Sequence, residues 1–100
     1  MKVDFNKLDK AFENRVRLQI MSVLMVNDNY DFTSLKELLE VTDGNLASNL
    51  KALEKEEYIN IQKSFIGRKP NTNYQASDKG RKAFQEHLAA LEQLIQQQKK

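Results

Sequence analysis

Residues 42–54 read TDGNLASNLKALE, and their spacing sets two chemistries on one helix. Leu46, Leu50 and Leu53 fall at i, i+4 and i+7, which at about 100° per residue is one narrow apolar stripe. Away from that stripe stand Gly44, Asn45, Ser48, Lys51, Ala52 and Lys55. They are small, amide-bearing, hydroxylic or cationic. Amides and hydroxyls offer paired donors and acceptors, and a helix without bulk on that side can enter a major groove about 12 Å wide. Asn bridges N6 and N7 of adenine, and Ser bonds either partner. The N-terminal half of an inserted helix carries the base contacts. Gly44, Asn45, Ser48 and Asn49 are therefore expected at base edges, and Lys51 and Lys55 at phosphates. Thr42 or Asp43 can cap the helix, and capping is the expected role of Asp43. An ordinary solvated helix face is the competing reading of these residues alone.

A second constellation lies downstream. Gly67-Arg68-Lys69-Pro70-Asn71-Thr72 places two adjacent cations on a tight turn. Arg68 there can enter a minor groove or clamp a phosphate, and Lys69 adds point charge. Lys63 lies just before the turn, and Lys79, Arg81 and Lys82 extend the basic rim. The chain's net charge of +2 hides this block. Residues 58–85 hold six basic residues and one acidic, Asp78, whereas residues 28–57 hold three basic and eight acidic.

The elements that must position these groups follow from periodicity. Phe5, Leu8 and Phe12 predict a short helix over residues 5–12. Asn14 caps a broadly apolar helix through Val16, Leu18, Ile20, Met21, Leu24 and Met25, broken by residues 27–29. Tyr30-Asp31-Phe32 reads as a small strand. Ser34 followed by Glu37 fits a capping box for a helix buried through Leu35, Leu38 and Leu39. A turn at 41–43 leads into the helix of residues 42–57. The period then drops to two: Ile59, Ile61 and Phe65 alternate with polar residues, and residues 73–76 return. Ser77 caps a last helix over 78–98, with Phe84, Leu88, Leu91 and Ile95 as its apolar stripe. The chain thus divides into N-terminal helices over 5–27, a helix-turn-helix over 33–57, a hairpin over 58–76 and a C-terminal helix over 77–98. The expected fold is a single domain over 1–100, mainly α with a small β-hairpin (α+β): a winged helix-turn-helix with a long C-terminal dimerisation helix.

Val41-Thr42, Leu46-Ala47-Ser48-Asn49-Leu50-Lys51, Leu53-Glu54, Tyr58-Ile59, Gly67-Arg68-Lys69-Pro70, Tyr74 and Ser77-Asp78-Lys79-Gly80-Arg81 together carry a family likeness. The chain resembles winged-helix transcription regulators of the MarR and ArsR type over about residues 8 to 95, and within them the small stand-alone regulators with TDGNL before the recognition helix and GRKP in the wing. The resemblance implies a cytoplasmic homodimer, a transcriptional repressor that reads a pseudo-palindromic operator. It gives Asn45, Ser48, Asn49 and Lys51 the recognition-helix role and Arg68 and Lys69 the wing role. Two departures stand out. Ala47-Ser48 replaces a hydroxyl followed by a long polar residue, and Glu56-Glu57 replaces the glycine often found before the strand.

Dimerisation has its own basis in the residues. Leu88, Leu91 and Ile95 run near a heptad and can pair with a second copy, and Phe5, Leu8 and Phe12 offer another apolar face. Both faces must also cover core. A regulator of this type can take a small-molecule effector between dimer helices and DNA-binding lobe, and no residue here names one. The competing function is a winged-helix protein-interaction module without specific operator binding, which would show little salt dependence on DNA.

Other classes are disfavoured. There is no cysteine, which removes disulfides, thiol catalysis and cysteine metal sites and fits a cytoplasmic protein. His87, the sole histidine, has no carboxylate at i+3 or i+4, so surface or interface packing is expected, with no metal and no cofactor. No P-loop, Ser-His-acid set or paired carboxylates indicate an enzyme. No run of about 18 apolar residues supports a membrane span, and no signal-peptide pattern appears.

Overall fold

The computed structural model describes residues 5–98. A 3-10 turn at Lys10–Phe12 leads into α1 (Arg15–Val26). β1 (Tyr30–Asp31), α2 (Phe32–Leu39) and α3 (Asp43–Lys55) follow, then β2 (Ile59–Ile66), β3 (Lys69–Ala76) and α4 (Asp78–Gln98). The three strands form one antiparallel sheet in the order β1-β3-β2. Ile59 faces Ala76, Ile61 faces Tyr74, and Ile66 faces Lys69 across the hairpin.

Each helix begins where a side chain satisfies a free N–H. Asn14 accepts from Arg17 N–H at 3.0 Å, Asp31 from Ser34 N–H at 3.1 Å, Thr42 from Asn45 N–H at 3.1 Å, and Ser77 from Gly80 N–H at 2.9 Å. The expected Ser34 capping box is corrected: Asp31 is the cap, and Ser34 instead donates its hydroxyl to Asp31 at 2.6 Å. The Ser34 hydroxyl, and after it the Ser34 N–H, hold the Asp31 carboxyl below its ordinary value against the opposing effect of burial.

The predicted helix over 5–12 shrinks to one 3-10 turn. Asp9 is the reason. Its carboxylate accepts from Ala11 N–H and from the Tyr58 hydroxyl, while its own N–H donates to His87 Nδ1 at 3.0 Å. These bonds tie the segment to α3's exit and to α4. Phe12 then stacks on Tyr58, with ring centroids 5.4 Å apart, and meets Phe84 edge-on at 5.2 Å. Around them Ile20, Met21 and Leu24 of α1, Leu35 of α2, Leu46, Leu50 and Leu53 of α3, and Ile59 and Tyr74 of the sheet make one core.

α3 ends in a Schellman motif. Glu57 N–H donates to Glu54 C=O at 2.8 Å and Tyr58 N–H to Leu53 C=O at 3.0 Å. Glu57 takes the left-handed conformation that this motif requires, φ 64°, without being glycine. Tyr58 C=O then accepts from Ser77 N–H at 3.0 Å, and Ser77 Oγ donates to Glu57 C=O at 2.6 Å. Gly80 passes directly over this junction: a Cβ there would lie 2.0 Å from the Tyr58 oxygen.

Candidate nucleic-acid interface

α3 is seated by its leucines. Leu46 and Leu53 are fully buried and Leu50 nearly so. Gly44, Asn45, Ser48, Lys51 and Lys55 are all exposed along the rest of the helix. Thr42 is the cap, and Asp43 pairs with Lys36 at 2.8 Å, both well exposed. Gly44 needs no freedom that the fold demands, since a Cβ there meets nothing within 4 Å. Ser48 Oγ donates to Asn45 C=O at 3.1 Å, which leaves the oxygen able to accept a bond.

Asn49 departs from expectation. It is 6 % exposed, because i+3 from Leu46 falls on the buried stripe. Its amide NH2 donates to Asn45 Oδ1 at 2.7 Å and to Asn45 C=O at 2.9 Å. Its oxygen accepts from Arg17 of α1 at 3.3 Å, and Arg17 Nε donates to Ala11 C=O at 2.6 Å. Asn49 is therefore a link between α1 and α3, not an outward contact. Asn49 was expected at base edges because of its amide, although three residues after Leu46 and four before Leu53 it falls beside the apolar stripe.

The hairpin carries the second group. Gly67 and Arg68 form the two-residue link between the paired Ile66 and Lys69, with positive φ at Gly67 alone, the requirement of a type II′ turn. Lys63, Arg68 and Lys69 are exposed, and residues 59–77 contain no carboxylate. Phe65 and Ile66 are also exposed, 73 % and 68 %. Sequence alternation placed Phe65 with the core-facing Ile59 and Ile61, but the hairpin outruns the helices that cover those two. Counting strand length past the end of α3 was the signal available for this.

The basic rim at α4 is smaller than expected. Arg81 donates its guanidinium to the Leu24 and Met25 carbonyls at 3.4 and 3.3 Å, closing the C-terminal end of α1. Lys79 lies 5.8 Å over the Tyr58 ring and 3.6 Å from Glu57. Lys82 remains exposed. Burial, followed by the hydrogen bond to Asp9, pushes the Tyr58 hydroxyl well above its ordinary value, and burial followed by Glu54 raises Tyr74. Neither tyrosine is a stacking platform.

His87 is not a surface residue. It is 5 % exposed, packs at 5.3 Å on Phe12 and accepts from Asp9 N–H. It lies on the same buried face of α4 as Gly80, Phe84, Ala90 and Leu94. The predicted α4 stripe therefore splits: Phe84 turns inward, whereas Leu88, Leu91 and Ile95 are exposed, as is Phe5. Phe12 leaves the candidate dimer face, at 3 % exposure in the centre of the core, and Leu8 is half-buried. Among the described residues no cluster of three His, Cys, Asp or Glu could hold a metal ion, and no helix is long and apolar enough to cross a membrane.

A family model described as a winged helix DNA-binding domain matches residues 16–95. The chain belongs to the winged helix DNA-binding domain family. An uncharacterised protein of Methanocaldococcus jannaschii is 36% identical over 85 residues, covering 85% of this chain and 92% of its own. A solved transcriptional regulator homologue from Pyrococcus horikoshii OT3 is 29% identical with a TM-score of 0.80, over 87% of this chain and 86% of its own. A zinc-responsive MarR family member of Lactococcus lactis shares the fold at 15% identity and a TM-score of 0.65, over 97% of this chain and 63% of its own. The α+β winged-helix architecture expected from the residues is thus the observed one, and the MarR-type likeness holds at the level of the fold.

Proposed function

We infer that this winged helix acts as a sequence-specific, double-stranded-DNA-binding transcriptional regulator, a dimeric repressor on a pseudo-palindromic operator. The observation that carries this reading is a pairing of surfaces. The exposed face of α3 holds Gly44, Asn45, Ser48, Lys51 and Lys55, and beside it stands a hairpin with three cations and no carboxylate. In this reading α3 lies in the major groove with Asn45 and Ser48 at base edges. Lys51 and Lys55 meet phosphates, and the wing residues Lys63, Arg68 and Lys69 meet the minor groove and its flanking phosphates. The exposed Leu88, Leu91 and Ile95 of α4, with Phe5, make the contact between two copies. Half-sites would then lie about 10–10.5 base pairs apart.

The relatives support regulation of transcription by their printed descriptions, one as a transcriptional regulator homologue and one as zinc-responsive. Zinc is not carried over, for want of a ligand cluster among the described residues. A small-molecule effector would belong between α4 and the DNA-binding lobe.

A second reading has one observation in its favour. Phe65 and Ile66 expose apolar surface at the wing tip, as a protein-docking module would. The deciding experiment is binding of the purified chain to fragments of its own upstream DNA against random competitor at several salt concentrations. Competitor-resistant binding with a steep salt slope and a two-half-site footprint supports operator recognition. Weak binding without salt dependence returns the chain to partner docking.

A further inference from the structure

The Arg17–Asn49–Asn45 chain has a polarity, and that polarity reaches the exposed face of α3. A guanidinium has donors only, so Asn49 must turn its carboxamide oxygen toward Arg17; the two atoms are 3.3 Å apart. Asn49 therefore directs its NH2 at Asn45, and an NH2 cannot accept. Asn45 must answer with its oxygen, at 2.7 Å. Arg17 itself is fixed by Nε at 2.6 Å from Ala11 C=O. One carboxamide group of Asn45 is left for the outside, its NH2. We propose that Asn49, set by Arg17, is a specificity-determining positioning residue that presents Asn45 to the major groove as a hydrogen-bond donor, so that Asn45 selects base acceptors.

This rests on the proposed DNA-reading role of α3 and narrows it. With its oxygen turned inward, Asn45 gives up the two-point bridge to adenine N6 and N7, which needs both ends of the carboxamide facing out. Its remaining targets are guanine N7 and O6, adenine N7 and thymine O4. Cytosine, which offers only the N4 donor in the major groove, is the base it rejects. The burial of Asn49 follows from the same logic. Leucine would satisfy the stripe better, yet a leucine would leave the Arg17 fork without this acceptor and Asn45 free to turn either end outward.

The test is selection of binding sites from a pool of randomised DNA duplexes, read position by position, for the unmodified chain and for Asn49→Asp. The new carboxylate still accepts from Arg17 but cannot donate, so Asn45 must reverse and offer its oxygen outward. One position per half-site is expected to discriminate against cytosine by roughly tenfold or more with the unmodified chain. The same position shifts toward cytosine N4 or adenine N6 with Asn49→Asp, while the other positions and the salt slope stay as they were. A residue that merely held the fold would change affinity or melting without moving base preference at one position. An unchanged preference with a folded Asn49→Asp protein overturns the proposal. Should circular dichroism show that this variant does not fold, the exposed Asn45→Asp serves instead. It keeps the bond from Asn49, presents an acceptor, and must produce the same shift; no shift overturns the proposal equally. A pool from which the unmodified chain enriches nothing overturns the DNA-reading role itself, which is a separate failure.

Discussion

Gly44 sits in the first turn of α3 with open space where its side chain would be. A glycine in a helix interior is less favourable than alanine by roughly 0.5–1 kcal/mol, somewhat less near an end. Nothing in this fold requires the missing Cβ, which points to something outside the chain coming close. Gly44→Ala is expected to raise the unfolding midpoint in urea and at the same time to weaken operator binding. A rise in both would remove Gly44 from the interface. Glu57 is the opposite case, where the fold calls for glycine and has a glutamate at φ 64°. Glu57→Gly should stabilise by up to about 1 kcal/mol, less what glycine adds to unfolded-chain entropy. Its exposed pair with Lys79, at 3.6 Å, contributes little to that balance. Urea unfolding checks it, and a loss of stability would mean that the strain is absent. Position 57 was already odd in the sequence as a missing glycine. Asn49 was not, because periodicity sorts residues into faces and cannot say that a polar residue on the buried face has a partner from another helix.

Among the elements, α2 depends on Asp31. Its carboxyl is held below the ordinary value of 3.8, so the ionised cap stabilises the fold above that pH and is lost as pH falls through the lowered folded value. Asp31→Ala should cost about 0.5–2 kcal/mol near neutrality. The gap between variant and parent should close in acid, as followed by helix signal against urea at each pH. A gap that persists at the lowest pH would mean that packing, not the cap, is what the substitution removed. The wing is an element with little core of its own. Arg68→Ala with Lys69→Ala should lower affinity for specific and random DNA alike and flatten the salt slope, since fewer phosphates would release their counterions. A preserved slope would take the wing off the DNA. The helices, hairpin and caps at Asn14 and Ser77 were legible because each depends on local spacing and one side chain; at α3 capping was expected of Asp43, with Thr42 as the other candidate, and Thr42 is the cap while Asp43 pairs with Lys36. The start of α2 and the loss of the 5–12 helix were not. Both are decided by Asp31 and Asp9 bonding to groups that periodicity does not weigh, one of them, His87, 78 residues away.

At the scale of the molecule, α4 reaches about 30 Å over its 21 residues. Leu88, Leu91 and Ile95 stay exposed along it while Phe84, His87, Ala90 and Leu94 are covered. Leu88→Glu with Leu91→Glu should shift sedimentation toward monomer and lower the melt only by what self-association contributes, since both side chains are exposed in the single chain. A persistent dimer would place the contact on another face. The sequence showed a stripe on this helix but not which half of it the chain itself would cover, since Phe84 and Leu88 are one turn apart and only the docked N-terminal segment separates their fates. The junction under Gly80 has a further bearing. Tyr58 C=O holds Ser77 N–H, and Ser77 Oγ holds Glu57 C=O, so the chain entering the hairpin just before β2 and the chain leaving it just after β3 are fastened to each other at its base. With its ends already joined, the hairpin is a closed ring mounted on the helices. Added length at Gly67-Arg68 then meets only the slow logarithmic rise of loop entropy. The wing is in that sense an exchangeable fitting: its reach and charge can drift, or be swapped by design, while the mount stays constant.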